Sequence, residues 1–226
     1  RQDYATAGGL GAREAYGENN GWIYRWDVPH NIADLIELMG GKEAFRNNLE
    51  TMYNTPLGEA KYVFYAQLPD HTGNVGQFSM ANEPSMHIPY LYNYIGEPWR
   101  TQKRVRTLLD EWFRNDLMGL PGDEDGGGMS AFVVFSMLGF YPITPGLPIY
   151  VIGTPMFERA VIETGAGKSF EVIAHNYSPT NKYIQSAKLN GKDWTQSWFE
   201  HKELMNGGKL EFTCLLYTSD AADDRI

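Results

Sequence analysis

"GLPGDEDGGGMSAFVVFSMLGFYPITPG", Gly119 to Gly146, joins two regions of different texture. It opens with an acidic turn, Asp123-Glu124-Asp125, followed by three glycines. A largely apolar run from Met129 then reaches helical length, and a segment broken by Pro142, Pro145 and Gly146 closes the stretch. Upstream of it apolar residues recur at helical spacing, and downstream they alternate. The fold class therefore reads as mainly α with a β module, with the change of texture near residue 142.

The upstream helices come in pairs with short glycine-marked joints. Pro29 suits a first helical turn, Ile32, Leu35, Ile36 and Met39 form one face, and Gly40-Gly41 supplies a stop. A partner helix runs through Phe45, Leu49 and Met52. After "GEPW", Val105, Leu108, Leu109 and Trp112 share one face, with lysines and arginines assigned to the other. Such pairs predict a bundle or toroid of αα-hairpins. Downstream, "IYVIG", "SFEVIAH" and "KYIQSAKL" read as short strands, and Asn190-Gly191 as a two-residue hairpin turn. Residues 143–213 are thus expected to form a small antiparallel β module, and residues 1–142 the helical domain.

Composition narrows the function classes. With 42% apolar residues in 226, the chain can bury a core, and a net charge of −9 without a basic stripe argues against nucleic acid as a partner. No stretch approaches the roughly 18 apolar residues a membrane span needs. The start, "RQDYATAGGL", has neither an initiator methionine nor a basic-then-apolar leader, so it reads as the interior of a longer protein. The last segment, "CLLYTSDAADDRI" (214–226), differs in texture from the strand-like "GGKLEFT" before it. It resembles read-through of a sequencing adapter in metagenomic data and is expected not to be native. Without it the chain carries no cysteine, hence no disulfide and no thiol nucleophile.

Three polar clusters could carry chemistry. The acidic turn is not an EF-hand, because counting from Asp123 places Gly127 and Val134 at the fifth and twelfth positions, where oxygen ligands are required. It is either a solvated turn or a set of carboxylates aimed into a cavity. "YGENNGWIYRWDVPHN" gathers Glu18, Asn19, Trp22, Trp26 and His30, and "MANEPSMHIPYLYNY" gathers Asn82, Glu83, His87 and several tyrosines. Aromatic faces beside carboxylates suit sugars, although Trp22 and Trp26, four apart, could equally pack in a core. His87 reads as a core group or one behind the ligands.

Taken in order and spacing, "GENNGWIYRWDVPHN", "NEPSMHIPYLYNYIGEPWRTQKRVR" and "GLPGDEDGGGMSAFVVFSMLGFYPITPG" closely resemble the catalytic domain of the calcium-dependent exo-acting α-mannosidases of glycoside hydrolase family 92. The likeness runs from about Tyr16 to Thr213. It implies the second half of an (α/α)6 toroid, with a preceding β-sandwich domain of the same chain and the early toroid helices absent, so that these residues alone would be inactive. It also implies an inverting hydrolase trimming terminal α-mannose from mannans or N-glycans.

Inversion needs an acid and a base on opposite sugar faces, roughly 6.5–9.5 Å apart. By resemblance Glu18 takes the acid role, with Glu83 the next candidate, and Asp123 and Asp125 match the base, Asp125 being preferred. Asn19-Asn20 stands where a glycine often follows the glutamate. The resemblance implies Ca2+ held by Asn82, Glu83 and Asp125, and a mannose-containing oligosaccharide bound by Trp22, Trp26 and His30. It further implies a secreted, periplasmic or cell-surface bacterial setting. Two other readings compete: a carbohydrate-binding relative that hydrolyses nothing, and another (α/α) toroid glycosidase. The pairing of Glu18 with the acidic turn disfavours the first, and "NEPS" with "GDEDGG" disfavours the second.

Overall fold

The computed structural model describes residues 16, 18–67, 71–165 and 167–217. The start of the expected helical domain and residues 218–226 of the set-aside tail lie outside these.

The helical part is built as the apolar spacing dictates. Helix α1 (Gly21–Tyr24) is a single turn capped by Asn20, whose Oδ1 accepts from Trp22 N at 3.0 Å. Helix α2 (Ile32–Leu38) buries Ile32, Leu35 and Ile36 and is capped by Asn31, so Pro29 precedes the helix rather than entering its first turn. Helix α3 (Lys42–Asn54) buries Phe45, Leu49, Met52 and Tyr53 against it. A short helix α4 (Lys61–Gln67) and a tiny hairpin of β1 (Asn74–Val75) and β2 (Phe78–Ser79) follow. The next stretch is irregular yet buried: 3-10 turns at Glu83–Ser85 and Ile88–Ile95, the second closed by Gly96 in the left-handed region.

Helix α5 (Pro98–Trp112) packs on that 3-10 helix and buries Val105, Leu108 and Leu109. Its other face is not uniformly solvated as the sequence suggests, because Arg106 is only 3% exposed. The Arg106 guanidinium donates to the Pro155 and Pro179 carbonyls at 2.7 and 3.3 Å, and Gln102 Oε1 accepts from Ile184 N at 2.9 Å. These bonds tie α5 to the β region and satisfy loop backbone that would otherwise be buried without partners. Helix α6 (Gly128–Leu138) spans the junction: Met129 and Phe132 enter the helical core, and Phe140 beyond its end enters the core of the β region.

The β region corrects two expectations. A three-stranded sheet has the order β3 (Phe140–Tyr141), β4 (Ile149–Ile152), β9 (Trp198–Glu200). A five-stranded sheet uses β5 (Arg159–Gly165), β6 (Lys168–His175), β7 (Tyr183–Leu189), β8 (Lys192–Trp194) and β10 (Gly208–Leu215), in the order β5-β6-β10-β7-β8. Strand β10 arrives after a short helix α7 (His201–Met205) and inserts between β6 and β7, parallel to the first and antiparallel to the second. The sheet is therefore mixed rather than antiparallel, because its last strand returns to the middle instead of extending an edge. That strand also runs past residue 213: Cys214 is 1% exposed, aligned with Leu210 and Phe212 on the buried face, so the boundary drawn at 213 cuts the fold two residues early. The Asn190-Gly191 turn joins β7 to β8 with φ of 51° and 80°, the geometry of a tight hairpin.

His71 is the most strongly perturbed histidine of the helical part. Its Nδ1 accepts from Asn74 Nδ2 at 2.8 Å, its ring lies 5.1 Å from that of Phe64, and burial lowers its pKa to about 4. The folded value lies below that of the unfolded chain, so between pH 6.5 and 4 the unfolded state binds the extra proton and stability falls as pH falls. The contribution at stake is on the order of 3 kcal/mol. Urea titrations across that window should show a steep loss of midpoint, and His71→Gln should flatten it. An equally steep loss in the variant would assign the acid sensitivity to other groups.

Candidate active site

Carboxyl groups from three distant segments meet at one place. Glu18 precedes the α1 cap, and its Oε2 accepts from Asn82 Nδ2 at 3.0 Å across 64 residues of sequence. Asn82 has extended backbone and immediately precedes the 3-10 turn that begins at Glu83. Asp125 opens the 3-10 turn before α6 with φ of 54°, a left-handed conformation that directs the chain through Gly126 and Gly127 at 65° and 107°.

The three acids are electrostatically joined. Partial burial raises the pKa of Glu83, a backbone hydrogen bond pulls it the other way, and the charge of Asp125, a side-chain hydrogen bond with Asp125 and the charge of Glu18 raise it further. A carboxyl group in that position keeps its proton to higher pH than a solvated one. Asp123 takes no part in this group and stays exposed. Glu124 turns back onto its own helix, accepting from Ser130 N at 3.0 Å, and its hydrogen bonds with Ser130 lower its pKa. Of the three consecutive acids, only Asp125 thus reaches Glu83.

Beside them lies a cavity of ≈ 480 Å³ lined by Glu18, Asp27, Glu83, Met86, His87 and Tyr141, among others. A cavity of ≈ 310 Å³ on the far β region, against Trp194 and Gln102, has none of the three acids in its walls, so convergent chemistry places the site at the first. Tyr141 stacks on Tyr90 at 5.4 Å, and burial, then the charge of Glu83, pushes its pKa up to about 12. His87 is buried, donates from Nε2 to the Trp26 carbonyl at 2.8 Å, and is held below the usual histidine pKa by burial.

The aromatic residues expected to bind sugar are placed elsewhere. Trp26 is fully buried, packs edge-on to Phe45 at 5.3 Å and donates Nε1–H to Met52 Sδ at 3.2 Å, so core packing claims it. Trp22 is half-buried in α1 and His30 is exposed, and neither lines the cavity. Tyr141 and Asp27 stand there instead. Asp27 lies inside the same "RWDVPH" string, whereas Tyr141 is brought in only by the β3 pairing that sets Tyr141 opposite Val151.

With this geometry in view, comparison with known proteins decides the lineage. The profile of the glycosyl hydrolase family 92 catalytic domain matches residues 2–215. The chain belongs to glycoside hydrolase family 92. An uncharacterized secreted glycosidase of Arthroderma benhamiae is 34% identical over 205 residues, 89% of this chain and 24% of that protein. Among solved structures, the family 92 α-mannosidase BT3965 of Bacteroides thetaiotaomicron in complex with mannoimidazole superposes with a TM-score of 0.86 at 33% identity, covering 96% of this chain and 28% of that one. The inverting family 92 mannosidase BT2199 of the same organism gives 0.76 at 36%, covering 88% and 28%. The chain therefore spans about a quarter of the length of these relatives.

In this family 92 chain, Gly122 is what lets the acidic turn close on the Asn82 segment. Its φ is +73°, and a Cβ there would lie 2.8 Å from Ala81 Cβ and 2.9 Å from the Ala81 carbonyl oxygen. Gly126 has φ +65° but a Cβ would meet nothing within 4 Å. Gly122→Ala should lower the unfolding free energy by about 2 kcal/mol or more, and Gly126→Ala by about 1 kcal/mol from the backbone alone. Denaturant midpoints for the pair check this, and equal losses would show that contact with Ala81 does not matter.

Proposed function

We propose that this chain is the acid- and base-bearing part of an inverting exo-acting α-mannosidase that hydrolyses terminal α-mannosidic bonds of mannans or N-glycans. The observation that carries the reading is that Glu18 and Glu83 line one cavity in a family 92 fold, with Asn82 hydrogen-bonded to Glu18 and Asp125 interacting with Glu83. The mannoimidazole complex of BT3965 and the description of BT2199 as inverting support the substrate class and the stereochemistry. The helices stand as the second half of an (α/α)6 toroid in this reading, completed by a β-sandwich domain of the same polypeptide, and the chain alone is inactive. The secreted description of the fungal relative supports an extracytoplasmic setting. Among the described residues no helix is long and apolar enough to cross a membrane.

Glu18 is the general acid. The Asn82 amide occupies Oε2 as an acceptor, which leaves Oε1 to carry the proton delivered to the departing glycosidic oxygen. Asp125 is the general base: it takes a proton from the water that attacks the anomeric carbon on the opposite face, as the bond to the leaving oxygen breaks. Glu83 is the second reading for the acid, favoured by its raised pKa and its hydrogen bond with Asp125.

Calcium fits as a mixed-donor site. Among the described residues no group of three or more His, Cys, Asp or Glu side chains is placed to hold a metal. Asn82 Oδ1, however, is buried without a hydrogen-bond partner and adds a hard amide oxygen to the carboxylates of Glu83 and Asp125. When bound, the ion would supply coordination for sugar hydroxyls and favour a flattened mannose ring. Because a ligating carboxylate must be ionised, binding would compete with the proton that Glu83 keeps to higher pH.

Two measurements on the full-length enzyme test this reading. In a leaving-group series, Glu18→Gln should lose about 10²–10⁴ in kcat/KM on natural mannobiosides and little on dinitrophenyl mannosides or mannosyl fluoride. Asp125→Asn should lose similar factors on all of them. Leaving-group-independent losses for Glu18→Gln would move the acid role to Glu83. Exhaustive chelation should abolish turnover and added Ca2+ restore it, and undiminished turnover with a demonstrably metal-free site would remove calcium from the mechanism.

A further inference from the structure

The residue after Glu18 carries two costs at once. Asn19 has φ of 49°, in the left-handed region that asparagine tolerates better than most side chains but only glycine enters freely. Its side chain is 1% exposed, and both amide atoms, Oδ1 and Nδ2, are buried without a hydrogen-bond partner. A strained backbone and an unpaired buried amide at one position persist only where the surroundings hold them, and such positions concentrate at functional sites. The surroundings here are well defined. Asn20 caps α1, α1 packs on β2 and on the Glu83–Ser85 turn, and Asn82 from that turn's leading edge grips Glu18.

We propose that Asn19 is a positioning residue for Glu18. Its left-handed turn, confined by the burial of its side chain, sets the direction in which the Glu18 carboxyl enters the cavity, while the Asn82 hydrogen bond fixes the far end of the same side chain. The proposal rests on the reading of Glu18 as general acid.

The test separates the amide from the backbone. Asn19→Gly removes the amide and leaves the left-handed conformation accessible, so the fold is not at risk, whereas Asn19→Ala removes the amide and keeps the Cβ cost. In the full-length enzyme, Asn19→Gly should lower kcat/KM on mannobiosides about tenfold and Asn19→Ala further. Both should change turnover of dinitrophenyl mannosides by less than about threefold, because misplacing the acid matters only where the leaving oxygen needs a proton. A purely structural role would lower both substrates together. A wild-type ratio between the two substrates in Asn19→Gly, whether rates stay level or fall in parallel, overturns the proposal. Glu18→Gln in the same series distinguishes the failures. If it shows no leaving-group dependence, the acid assignment falls and the positioning role with it. If it shows the dependence and Asn19→Gly does not, the positioning role alone falls.

Discussion

Buried irregular backbone must find hydrogen-bond partners, and in this chain side chains supply them. The segments that build the site, residues 71–96, 119–128 and 141–156, hold little α-helix or strand, yet much of them is buried. Gln77 donates to the Pro56 carbonyl, Ser79 to Thr72, His87 to Trp26, Asn93 to Ile152, Thr144 to Pro29 and Arg106 to Pro155. Each bond adds a side-chain donor to a backbone carbonyl, and all but the Ser79 bond join parts of the chain more than twenty residues apart. An isolated loop bond is worth little net, but losing one leaves a desolvated carbonyl behind. The scaffold around the three carboxylates is thus held by polar tethers in addition to the apolar cores on either side.

Those tethers explain why the acids can be brought together at all. Like charges on flexible loops separate. Here Glu18 is held from one side by Asn82, Glu83 begins a 3-10 turn whose next residues are packed, and Asp125 is fixed in left-handed backbone that continues through Gly126 and Gly127. Even the glycine at 128 contributes space, since a Cβ there would come within 3.2 Å of Glu83 Cγ. Burial of Glu83, with the repulsion from Asp125 and Glu18 added to it, is then expressed as a raised pKa rather than as displacement.

Regular local structure was legible in the sequence, and non-local structure was not. The spacing of Ile32, Leu35 and Ile36, of Phe45, Leu49 and Met52, and of Val105, Leu108 and Leu109 marks buried helix faces correctly, and Asn190-Gly191 marks the hairpin. The insertion of β10 beside β6 could not be read, because alternation shows that Leu210, Phe212 and Cys214 share a face but not which strands flank them. Arg106 could not be placed either, since a buried arginine depends on carbonyls that lie 49 and 73 residues away. At the site, quoted motifs located Glu18, Asn82, Glu83 and Asp125 together. Aromatic residue type misassigned Trp26, because a tryptophan that packs and one that binds sugar look alike until burial is known.

The central place of β10 has a consequence for how the molecule is made. Strands β6 and β7 follow one another within fifteen residues of chain, yet each must keep an edge open for a partner that emerges from the ribosome only after residue 208. Until then two unpaired edges face each other, the condition under which strands mispair or recruit neighbouring chains. Synthesis of this region is therefore a race between arrival of the last strand and capture of the gap, and a nascent chain that stalls in α7 has lost it.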